Sequence, residues 1–182
     1  VSAEAGARER RRTGGAGERG NALVEFTLLL PLLLLILLGC SEICLLLERQ
    51  IRLIHLSREA ASVYSRGAGV QQTLGGILAA DGDLALDGAA GQVILTRVAR
   101  DPAGTPVITE QSTVGALGRS SSVGTLPPSG IPVPATIPNG RTVPPNMTLV
   151  VVELFSLQPQ RFVAPGIWDR GDPMVLHGLA VF

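Results

Sequence analysis

The sequence predicts an α+β protein in which a long N-terminal transmembrane helix continues into an amphipathic helix packed on a small, four-stranded antiparallel sheet. Three observations carry that expectation. One apolar run is long enough to cross a bilayer. The residues after it keep apolar side chains at helical spacing. Four later stretches of branched residues are separated by turn signals. The 182 residues suffice for one domain of ordinary size. The expected boundaries are a basic leader over 1–20, a transmembrane helix over 21–47 and an α+β domain over 48–182.

The membrane helix rests on length and charge. Phe26 to Ser41 carries no charge, and apolar character resumes from Ile43 to Leu47. As a helix, Ala22 to Leu47 would span about 39 Å at ~1.5 Å per residue. A hydrocarbon core is about 30 Å thick. Arg8, Arg10, Arg11, Arg12 and Arg19 precede the run, whereas Arg49, Arg52 and Arg58 follow it among Glu42, Glu48 and Glu59. That asymmetry favours a cytoplasmic N-terminus, with the bulk of the chain beyond the membrane on the other side. An ordinary cleaved signal does not fit, because its apolar core runs only about 7–15 residues. "LLGC" (Leu37 to Cys40) resembles a lipobox, but apolar residues rather than a polar tether follow it. Arg11-Arg12 lacks the apolar residues expected directly after a twin-arginine pair. Cys40 and Cys44 share one helical face and form no disulfide framework.

From Leu47 to Ser65 the apolar residues Ile51, Leu53, Ile54, Leu56, Ala60, Val63 and Tyr64 mark an amphipathic helix. Glu48 and Arg52 are placed as an i,i+4 pair, and Gly67 and Gly69 should end the rod. Val70 to Asp87 is expected to be helical or irregular, interrupted by Gly75 and Gly76. Val93–Ala99 and Pro106–Ser112 read as a β-hairpin turning at "DPAG" (Asp101 to Gly104). Residues 118–146 hold seven prolines and are expected to be an extended insertion outside the core. Met147–Leu157 and Met174–Phe182 supply two more strands, completing an antiparallel sheet behind one long helix.

Little in the chain points to catalysis. The formal net charge is zero, which gives no general attraction to nucleic acid. Asp81, Asp83 and Asp87 lie close together, but a calcium loop needs alternating oxygen ligands and a glutamate at its twelfth position. Ala85 and Gln92 occupy those places, so solvated turn residues are the expectation. His55 and His177 are isolated in sequence. No nucleophile elbow, phosphate loop or zinc spacing is present. No catalytic residue, metal or cofactor is therefore expected, and no enzyme.

The informative residue is Glu25. It is an acid at the entrance of a membrane-length run, where a carboxylate needs a neutralising partner or the head-group zone. A basic leader ends in Gly20. Glu25 is the fifth residue after that glycine, and Phe26 and an apolar helix follow. This order resembles the processing site of type IV pilin-like proteins. The wider stretch "RGNALVEFTLLLPLLLLILLGCSEI" resembles the N-terminal segment of TadE-like proteins, minor pseudopilins of the Tad (Flp) pilus assembly system. Gly20, Ala22, Val24, Glu25, Phe26 and Pro31 carry the resemblance, and "SREAASVYSRG" (Ser57 to Gly67) is similar to the helix that follows in the family. Two positions depart from related patterns. Asn21 stands where major type IV pilins have phenylalanine, and Phe26 where Flp-type sites often have tyrosine.

The resemblance implies cleavage after Gly20 by a prepilin peptidase, with Asn21 as the new N-terminus. It implies that Glu25 pairs with an N-terminal amine during assembly. The implied partners are other pilins and pseudopilins, pilus assembly membrane proteins, the peptidase and the inner membrane. Pro31 should kink the helix locally, since it frees the carbonyl of Thr27. The Thr27 hydroxyl or a neighbouring helix could then serve that carbonyl. The alternative is an envelope binding module that stays uncleaved, or is lipidated at Cys40, and never joins a pilus.

Overall fold

The computed structural model describes residues 15–158 and 174–182, so residues 1–14 of the expected leader lie outside the described residues. Helix α1 spans Gly15–Ser65, and the expected continuation of the apolar helix into the amphipathic one is present. The chain divides into two compact units, Val1–Cys44 and Leu45–Phe182.

The first unit is the apolar part of α1. Its side chains from Leu23 to Cys40 are exposed, and Leu28 reaches 74% exposure. Among the described residues one helix is long and apolar enough to cross a membrane, which is compatible with a single-pass anchor. A helix apolar all round has no water-soluble face, and lipid is the solvent that suits it. Pro31 sits inside this helix. The Thr27 hydroxyl donates to the carbonyl of Leu23 at 2.5 Å, one turn back. It does not serve the carbonyl that Pro31 leaves without a donor.

The second unit begins with the rest of α1. Leu53, Leu56, Ala60, Ala61 and Tyr64 recur every three or four residues and are buried. Ile51 and Val63, expected on the same face, are exposed. Gly67 stops the helix at φ +92°, its amide donating to the carbonyl of Tyr64. Helix α2 spans Val70–Ala80, and Gly75 and Gly76 do not interrupt it. Leu74 and Ile77 bury the face of α2 that joins the core.

Among the described residues five strands follow: β1 (Gly91–Arg100), β2 (Pro106–Gly115), β3 (Val133–Pro134), β4 (Leu149–Leu157) and β5 (Val175–Val181). They form one antiparallel sheet in the order β3-β2-β1-β4-β5. The expected sheet of four gains a fifth strand because residues of the proline-rich segment pair with the edge of β2. Val133 lies opposite Ile108, and Pro134 opposite Val107. A proline is tolerated there because the strand is an edge. The β1–β2 hairpin turns at Asp101, whose carboxylate accepts the Thr105 amide at 2.7 Å. Gly104 takes the positive φ of +86° that this turn needs.

The sheet has two buried faces. On one, Val93, Leu95, Val152 and Leu154 pack with the buried residues of α1 and α2. On the other, Val98, Ile108, Leu149 and Val151 pack against Val123 and Val143. Those two valines belong to the proline-rich stretch 118–146 and are each 1% exposed. The expectation that this stretch lies outside the core is therefore corrected. It is a strap that closes the second face. Proline and glycine remove regular hydrogen bonding, and the strap takes its bonds from side chains of the sheet instead.

Candidate functional site

The expected processing and assembly residues sit on one element. Gly20, Asn21, Glu25 and Pro31 all fall within α1, so the Gly20–Asn21 bond lies in helical backbone. Glu25 is exposed, and among the described residues it makes no salt bridge. It is the only charged residue between Ala22 and Ser41. Leu23, Val24, Phe26 and Leu28 around it are all more than half exposed. The arrangement is a single carboxylate on an apolar surface, open to whatever cation a neighbouring molecule brings.

Past the apolar run, α1 is locked to the loop that follows α2. Arg49 is nearly buried, and donates to Asp83 at 2.9 Å and to Gln158 at 3.2 Å. Arg52 also donates to Asp83, at 3.2 Å, rather than pairing with Glu48 as its spacing suggests. Asp83 is thus a structural counter-ion. Among the described residues no group of acids, histidines and cysteines could hold a metal ion, and the three aspartates do not form one. Asp81 instead accepts the Leu86 amide at 3.0 Å. Burial pushes its carboxyl above the usual range, helped by Asp87 and Asp83 and opposed by the Leu86 amide and Arg52.

Two further polar clusters were not foreseen from the sequence. Near the end of α1, the Tyr64 hydroxyl donates to Glu110 of β2 at 2.9 Å, and Arg97 of β1 donates to the same carboxylate at 2.7 Å. The Arg97 guanidinium also lies 4.5 Å from the Tyr64 ring centroid. Burial, then the bond to Glu110, pushes the phenol up to about 12 despite Arg97 nearby.

The second cluster surrounds Glu153 in the middle of β4, fully buried on the strap side of the sheet. Its Oε1 accepts the Ser122 amide at 3.0 Å and hydroxyl at 2.7 Å, and its Oε2 accepts the Ser121 hydroxyl. His177 of β5 places Nε2 3.7 Å from Oε1 while its ring stacks on Phe155 at 4.5 Å. A signal for this site does exist in the sequence. "LVVVELF" (Leu149 to Phe155) is apolar without alternation except at Glu153. Such a run marks a strand buried on both faces, and an acid inside it must be held by donors.

The family comparison falls on the helix. A family model described as TadE-like protein matches residues 20–62. This N-terminal segment is similar to the TadE-like family. The match begins at Gly20, contains Glu25 and Pro31, and extends into the buried part of α1. The matched segment therefore includes the apolar run and, in the second unit, residues of α1 that are buried against the sheet. Searches of curated proteins and of solved structures gave no match.

Proposed function

We propose that this chain is a minor pseudopilin of a Tad pilus assembly system. It would be inserted with its N-terminus in the cytoplasm, trimmed by a prepilin peptidase after Gly20, and held through α1 in the inner membrane or the growing pilus. The domain after α1 would face the periplasm or the cell exterior. The observation that carries this reading is the family match that starts at Gly20 and includes Glu25. The role is assembly rather than catalysis, and its partners are other pilins, pseudopilins and the membrane proteins of the assembly machine.

Physical chemistry links the trimming to Glu25. In the untrimmed helix, Glu25 lies well inside α1. Cutting after Gly20 would place it in the first turns of a new helix, one turn from the ammonium of Asn21. Both the ammonium and the partial positive charge of a helix N-terminus favour a carboxylate there. The same cation on a neighbouring subunit could take its place, which couples processing to assembly. Because the Gly20–Asn21 bond is helical, the peptidase must open the first turns of α1, and helix ends open locally at little cost.

N-terminal sequencing of the membrane-extracted protein tests the proposal. A mature chain that begins at Asn21 supports it. An intact leader, or a chain that begins at a lipidated Cys40, sinks it. Glu25→Ala should abolish piliation while leaving the protein stable and in the membrane. An uncleaved binding module would tolerate that change.

A further inference from the structure

The strap over the second sheet face is held by three side chains from three adjacent strands. Gln92 of β1 exchanges two hydrogen bonds with the backbone of Arg119, at 2.8 and 2.7 Å. Gln111 of β2 donates to the carbonyl of Gly124 and accepts the amide of Leu126, both at 2.9 Å. Glu153 of β4 takes the residues between, Ser121 and Ser122. Gln92 and Gln111 are neutral amides whose bonds do not change with pH. Glu153 alone among the three can lose a charge.

We propose that Glu153 is an acid-release latch: protonating its carboxylate frees Ser121 and Ser122 at the middle of the strap and loosens its cover over the apolar face, while Gln92 and Gln111 keep hold of Arg119, Gly124 and Leu126. The geometry supports this in three ways. The carboxylate is fully buried, so its charge is held by hydrogen bonds rather than by water. Three of its donors come from the strap itself, so losing them acts on the strap before the sheet. Protonation adds a donor where donors already converge. The Ser122 amide cannot turn away as a hydroxyl can.

The charged and titratable surroundings are few. From β5, His177 faces Glu153 and adds a charge pair when it is protonated. From β1 and β5 the residues directly opposite in register are Ile94 and Leu179. Along β4 the flanking residues on the same face are Val151 and Phe155. The strap offers only the two serines. Burial alone would push the carboxyl up. The nearby His177 imidazole and the bonds from Ser121 and Ser122 outweigh it and hold Glu153 below the usual carboxylate range. A depressed carboxyl stabilises the fold above its unfolded value, about 4.3 for glutamate. That contribution is lost as pH falls through the lower folded value.

Amide hydrogen exchange on the full chain in detergent micelles tests the latch, with rates normalised to an unstructured peptide at each pH. Glu153→Gln, which removes the charge at constant shape, should raise exchange at Ser122 and Val123 on the order of ten- to a hundredfold at neutral pH, the loss expected for bonds to a charged group. Protection in β1 and β4 should stay. The wild-type chain should lose protection at Ser122 and Val123 only at pH below the unfolded glutamate value of about 4.3, and before the sheet does. Unchanged strap exchange in both experiments overturns the proposal. So does a strap that opens only together with β1 and β4, since Glu153 would then be an ordinary core residue. If the variant fails to fold, the wild-type titration alone decides by the same criterion.

Discussion

At the scale of single residues, Tyr64 reports most directly on the seating of α1. It is the only tyrosine in the chain, so its ionisation can be followed by tyrosinate absorbance without ambiguity. Burial and the bond to Glu110 push it up to about 12 from an ordinary 10.0. A raised pKa favours the protonated phenol in the folded state. The contribution is fully present below the unfolded value and is lost as pH rises through the folded one. Absorbance should therefore stay low through pH 10 and rise near 12, or earlier with cooperative unfolding. Titration at the unfolded value in a chain still folded by circular dichroism would show that Tyr64 is not sealed. Glu25 is the opposite kind of residue. It is exposed, and the role proposed for it belongs to a complex.

At the scale of elements, α1 and β5 meet with no room to spare. A Cβ placed on Gly178 would come 2.8 Å from the carbonyl oxygen of Leu53. Glycine is required here by the close approach of helix backbone to sheet and not by a turn. Gly178→Ala must lift α1 from the sheet or bend β5. The expected destabilisation is roughly 1–3 kcal/mol, the usual range for overpacking, measured by denaturant unfolding in micelles. A neutral result would mean that helix and sheet are not pressed together at this point. The same contact explains why the buried stripe on α1 runs through Leu53, Leu56, Ala60 and Tyr64 while Ile51 and Val63 stay outside. The approach angle of the sheet selects which apolar residues are covered.

At the scale of the whole molecule, the apolar part of α1 must find a solvent other than water. From Leu23 to Leu38 it exposes large aliphatic side chains continuously. A charge at its centre should be costly: on the order of 2.5–3.5 kcal/mol for arginine at mid-bilayer on insertion scales. Leu33→Arg should therefore shift the protein out of the carbonate-washed membrane fraction, whereas Leu33→Val should not. Equal retention of both variants would count against a membrane-spanning role for this helix.

Much of this architecture is legible in the residues. The apolar run, the helical stripe after it, the "DPAG" hairpin and the two later strands follow from local periodicity and turn chemistry, which act between neighbours in sequence. The ordered glycine, glutamate and proline at 20, 25 and 31 also sit on one segment, and the family match covers them. The proline-rich strap is not legible in this way, for a physical reason. Its composition disfavours regular secondary structure, but burial depends on what a segment meets, and Val123 and Val143 meet the second face of the sheet. Arg52 shows the same limit. Its helical neighbour Glu48 is a reasonable partner by spacing, yet Asp83 reaches it across the fold. His177 and Glu153 lie 24 positions apart in the chain and come together only because β4 and β5 pair in register. The sequence by itself determined the long apolar helix, the amphipathic helix that continues it and the order of the main strands, because those rest on short-range patterns. Tertiary structure alone decided the closed second face and the carboxylate buried within it, because both depend on contacts between residues far apart in the chain.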